Sequence, residues 1–127
     1  MEFNKAIIDT TAEFVCAFKP QYAFYGAKYV DGITALRDTI HYIHKKYPDI
    51  PVVLDAKRND IGNTSEKYAT EVFDVLKADA VTVNPYLGQD ACQPFLDRKD
   101  KKIICFWNSF FILLSTFLKF IKRKKYE

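Results

Sequence analysis

Phe3, Ala6, Ile7, Thr10 and Phe14 recur at about helical spacing, so an amphipathic helix is expected over residues 3–14. The short apolar run 15–19 ends at Pro20 and predicts a buried strand closing on a charge. Residues 22–32 read as an aromatic, glycine-containing connection. Ile33, Leu36, Ile40, Ile43 and Tyr47 then form one stripe, predicting a helix over 32–47 that Pro48 stops. A buried strand follows at 51–57. Next comes a helix at 64–76, carried by Tyr68, Val72, Phe73 and Leu76. A strand at 78–83, a shorter helix at 89–96 and a strand at 102–106 complete the pattern. Strands alternating with helices at this spacing predict an α/β fold of right-handed βαβ units around a parallel sheet.

Polar residues close three of these strands: Lys19 with Gln21, Asp55 with Lys57, and Asn84. In parallel α/β folds the carboxyl ends of strands are where sites form, so these residues are expected to share one. Asp55 and Lys57 stand two apart and face one way on a strand, and Asp60 follows just before Gly62 and an Asn63, Thr64, Ser65 helix start. Charges at a buried strand end are costly unless paired. With Lys19 they make an alternating Lys, Asp, Lys, Asp array that holds an anionic substrate and places a lysine to deliver a proton. The same spacing fits a strand-end salt bridge equally well.

Composition narrows the classes. A chain of 127 residues that is 49% hydrophobic and 28% charged suits one modest domain with a core. The net charge of +3 comes largely from Lys119, Lys122, Arg123, Lys124 and Lys125, which leaves no broad basic face for nucleic acid. Cys16, Cys92 and Cys105 lack metal-ligand spacing and read as small buried hydrophobes in a reducing compartment. Residues 1–12 mix charges with apolar positions, so no secretory signal is expected and a cytoplasmic location is the default. His41 and His44 lie one turn apart but lack a third ligand, which favours a solvated helix face over a metal site.

Residues 103–118 are almost wholly apolar and precede a lysine-rich end, matching neither a strand period nor a clean amphipathic helix. Three readings stand: a membrane anchor, an apolar segment packed on the domain, or a non-native end from a shifted frame or an unspliced intron. The bias toward Phe, Leu, Ile and Lys favours the last.

The run DAKRNDIG at 55–62 has the pattern DxKxxDxG, with AFKPQ at 17–21 before it and NPYLG at 84–88 after it. In this order the motifs resemble the orotidine 5'-phosphate decarboxylase family, in wording closest to the form of malaria-type parasites. The DxKxxD run alone also occurs in related sugar-phosphate decarboxylases and aldol-type enzymes. The resemblance implies a (β/α)8 TIM barrel that converts orotidine 5'-monophosphate to UMP in pyrimidine synthesis, with no cofactor and no metal. It makes Lys57 the proton donor, sets Asp55 beside the leaving carboxylate and has Lys19 hold Asp55. Asp60 would cross a homodimer interface, with Ile61 and Thr64 at the ribose end and Gln21 near the ribose or base. Association with orotate phosphoribosyltransferase is a further implied partnership.

The family's chain is about twice as long or more. The ribose-binding acid of its first strand, its lid glutamine and its phosphate-gripping arginine and glycine have no counterpart here. A weakly active or inactive fragment is therefore expected, with a partial barrel of about four parallel strands over 1–105 and an apolar, basic tail over 106–127 outside it. The alternative is a non-catalytic fragment whose segment 103–121 associates with a membrane.

Overall fold

The computed structural model describes residues 1–105, the last by its backbone alone; the expectations for the tail at 106–127 lie outside the described residues, as does most of the membrane-associating segment. Among the described residues no helix is long and apolar enough to cross a membrane.

Helix α1 (Glu2–Thr11) runs into a 3-10 turn at Ala12–Phe14. Helix α3 (Tyr29–Lys46) buries Leu36, Ile40 and Ile43, three members of the predicted stripe. Asp31 in its first turn and His44, Lys45 and Lys46 in its last complement the helix dipole. Strands β1 (Val53–Arg58), β2 (Ala80–Val83) and β3 (Lys102–Cys105) form one sheet in the order β1-β2-β3, with both pairings parallel. Helix α4 (Gly62–Ala69) connects β1 to β2, and α5 (Gln89–Leu96) connects β2 to β3. All four residues of β2 are buried, as expected for a strand covered on both faces.

Register separates the two faces. Leu54 pairs with Val81, and with Val52 and Val83 these side chains join Leu36, Ile40, Ile43, Phe73 and Phe95 in the core between sheet and helices. By alternation Asp55 and Thr82 turn to the opposite face. Phe73 meets Phe95 edge-on, with ring centroids 6.2 Å apart.

Four local expectations change. Residues 15–19 make no regular strand: Phe18 and Gln21 form isolated parallel bridges to Val52 and Asp55, and Pro20 between them has no amide to continue a ladder. The segment still lies beside β1, since the amides of Val53 and Asp55 donate to the carbonyls of Phe18 and Pro20. The connection at 22–32 is largely helical, with α2 (Tyr22–Gly26) running almost directly into α3. A Cβ at Gly32 would fall 1.8 Å from the Tyr25 carbonyl oxygen, so the close approach of α2 to α3 requires glycine there. The helix expected over 64–76 begins at Gly62 and ends as a π-helical turn at Thr70–Val75. Finally, Cys92 is buried but Cys16 is exposed on the extended segment.

Phe73→Ala should lower stability by about 3–5 kcal/mol, because it empties a buried site packed edge-on against Phe95. Phe24→Ala, at a side chain 78% exposed, should change it by less than about 0.5 kcal/mol. Urea midpoints of the two variants against the parent chain measure both.

Candidate active site

The edge segment, β1 and β2 end side by side, and each contributes one polar side chain to a cluster around Asp55. Asp55 is 4% exposed. Lys19 Nζ donates to its Oδ2 at 2.7 Å and Lys57 Nζ to its Oδ1 at 2.6 Å. The Thr82 hydroxyl donates to the same Oδ1 at 2.9 Å. Burial pushes the Asp55 carboxyl up, but the hydrogen bonds from Lys19, Lys57 and Thr82 outweigh it and bring the pKa down to about 2. Asp55 is therefore ionised at neutral pH and far too weak a base to take a proton there. The lysine side chains are 59% and 39% exposed, so an anion from solvent can reach both ammonium groups.

The meeting of Asp55 with Lys57 does not come from a regular pleat. The β1 to β2 register is irregular between Leu54 and Arg58, and Lys57 stands at φ +48. Non-glycine residues in this left-handed region carry strain that surrounding contacts must hold. On the helix side, Arg58 supplies one such hold. Its guanidinium carbon lies 4.2 Å from the Tyr22 ring centroid and 4.5 Å from that of Tyr68. Its Nη2 donates to Glu71 Oε2 at 2.8 Å, while the Tyr22 hydroxyl donates to Glu71 Oε1 at 2.8 Å. Glu71 lies in the π-helical turn, so that irregular turn is tied directly to the residue after Lys57.

Among the sequence-derived candidates, hydrogen bonds gather Lys19, Asp55 and Lys57, and Gln21 is linked to Asp55 by main-chain pairing. Asp60, Ile61 and Thr64 occupy the run after β1. Asp60 Oδ1 accepts from the Ile61 amide at 2.8 Å, Ile61 is 61% exposed, and Thr64 is exposed in the first turn of α4. Asn84 Oδ1 accepts from the Tyr86 amide and caps the 3-10 turn at Pro85–Leu87. Sequence reasoning missed Thr82. Its signal was a hydroxyl in an otherwise apolar strand, but the alternation cannot say which neighbour it meets. His44 Nε2 lies 2.9 Å from Asp79 Oδ2, and among the described residues no group of three or more His, Cys, Asp or Glu could hold a metal ion.

Comparison with known proteins gives one consistent result. Residues 2–106 match the family model described as orotidine 5'-phosphate decarboxylase / HUMPS family. Over 103 residues the chain is 53% identical to the orotidine 5'-phosphate decarboxylase of Dechloromonas aromatica, covering 81% of this chain and 37% of that protein. The solved OMP decarboxylase of Leishmania donovani superposes with a TM-score of 0.78 at 40% identity, over 84% of this chain and 43% of the other. That of Plasmodium berghei gives 0.72 at 34% identity, over 84% and 35%. The chain thus spans little more than a third of the length of the curated relatives it matches.

Because the Asp55 carboxyl sits at about 2 when folded and near 3.9 when unfolded, its pairings stabilise fully above about pH 4. That contribution is lost as pH falls toward 2. A carboxyl NMR titration should place Asp55 near 2 and find it higher in Lys19→Met; a midpoint of 4 in the parent chain would contradict the cluster.

Proposed function

Because the chain belongs to the orotidine 5'-phosphate decarboxylase / HUMPS family, whose fold is the (β/α)8 TIM barrel, we propose that it carries the charged part of a site for decarboxylating orotidine 5'-monophosphate to UMP. The observation that carries this reading is a buried carboxylate, ionised at neutral pH and bracketed by two solvent-accessible ammonium groups at neighbouring strand ends. In the reaction the bond from C6 to the carboxylate breaks, CO2 leaves, and the electron pair remains on C6 until a proton arrives. Lys57 supplies that proton, and its positive charge faces the developing carbanion. Asp55 stands beside the departing carboxylate and holds the Lys57 ammonium through their ion pair. Lys19 holds Asp55 and balances it.

Asp60 belongs in this reading to the array of a second copy in a homodimer, with Ile61 and Thr64 toward the ribose. Gln21, tied to Asp55 through the main chain, lies toward the ribose or base. The family resemblance also carries the association with orotate phosphoribosyltransferase and a reaction run by side chains alone. Residues 1–105 form the barrel part, a division that the end of the family match at residue 106 supports. The resemblance puts the family's phosphate-gripping groups beyond the matched segment. Because remote binding energy contributes to the catalytic step, the chain by itself turns over weakly or not at all.

Purified chain should release CO2 from orotidine 5'-monophosphate at less than about a thousandth of the rate of a complete relative. Ordinary rates would overturn the fragment reading. Residues 2–105 grafted into the Dechloromonas aromatica enzyme should give an active barrel, and Lys57→Ala in that graft should lose at least about a hundredfold in kcat. Retained turnover without the Lys57 ammonium would remove its assigned role.

A further inference from the structure

The irregularity in β1 leaves three of its residues, 55 to 57, opposite the single residue Thr82 of β2, since Leu54 pairs with Val81 and Arg58 with Val83. A regular parallel ladder would send amides of β1 to carbonyls of β2. Here the amides of Ala56 and Lys57 both donate to the Thr82 hydroxyl oxygen, at 3.1 and 3.0 Å. The hydroxyl proton goes to Asp55 Oδ1 at 2.9 Å. One hydroxyl has one proton to give and two lone pairs to receive with, so all of its capacity is committed to three consecutive residues of β1. Thr82 is 5% exposed.

The two effects reach the two central members of the cluster by different routes. The amide bonds hold the Lys57 backbone at φ +48, which determines where its ammonium group starts from. The hydroxyl bond fixes the rotation of the Asp55 carboxylate, so that its other oxygen faces Lys19. We propose that Thr82 is a positioning residue for decarboxylation, whose hydroxyl sets the Lys57 backbone and the Asp55 carboxylate together. This rests on the decarboxylase reading for its consequence, while the positioning itself is measurable without turnover.

Two arms test it. In the 127-residue chain, the Asp55 carboxyl is titrated by NMR in the parent, Thr82→Val and Thr82→Ser. Valine keeps the shape and removes the hydroxyl, so the Asp55 midpoint should rise by roughly one pH unit and the Ala56 and Lys57 amide resonances should move. Serine keeps the hydroxyl and should restore both. An unmoved Asp55 in Thr82→Val, or a Thr82→Ser displaced as far as the valine variant, overturns the proposal. If the valine variant does not fold, Thr82→Ala takes its place: a raised Asp55 midpoint there supports the proposal and an unmoved one overturns it. In the grafted barrel, Thr82→Val should lower kcat by about ten- to a hundredfold with KM within about twofold, and Thr82→Ser should recover kcat. A graft that is silent with Thr82 intact counts against the decarboxylase reading, and the titration arm then judges Thr82 alone.

Discussion

Asp55 keeps 4% of its surface in contact with solvent, and an ionised carboxylate so placed is tolerable only if its oxygens meet donors. Three donors reach it from three chain segments that are distant in sequence: Lys19 before β1, Lys57 within it, and Thr82 on β2. Parallel pairing makes this convergence possible, because it brings like ends of successive strands to one edge of the sheet. The apolar face of the same strands carries the cost of organising them. Val52, Leu54, Val81 and Val83 pack on α3, Phe73 and Phe95, and so hold the polar ends in register.

β1 departs from ideal geometry where the chemistry lies, and each face of the departure is braced. Toward the cluster, the Thr82 hydroxyl takes the two amides that the irregular register diverts from a ladder. Toward the helices, Arg58 lies between the Tyr22 and Tyr68 rings and pairs with Glu71. The left-handed backbone at Lys57 is thus held between a polar bracket on one side and a cation-π and ion-pair bracket on the other. The π-helical turn that carries Glu71 belongs to the same arrangement.

Much of this was legible from residue order. The 3.6-residue stripe of Leu36, Ile40 and Ile43, the apolar run into Asp55 and the buried Ala-Val-Thr-Val strand lie where periodicity puts them, because burial on one face is written in the spacing. The run at 15–19 misled because apolar composition signals burial, whereas Pro20 limits how the backbone can pair. The connection at 22–32 misled because Gly26 and Gly32 resemble loop residues; Gly32 is there for the close approach of α2. Asp55, Lys57 and Lys19 stood out as charges at strand ends. Thr82 did not, since a threonine in a strand has an ordinary structural explanation.

By itself the sequence determined the alternation of helices and strands and the strand ends that carry charge. These follow from local periodicity and from the cost of burying unpaired charge. Tertiary structure alone decided that three residues of β1 stand against one of β2, that Lys57 takes a left-handed backbone, and that one hydroxyl serves Asp55, Ala56 and Lys57 together. Register is a relation between strands that are far apart in the chain, and a hydrogen bond of that kind leaves no spacing to read.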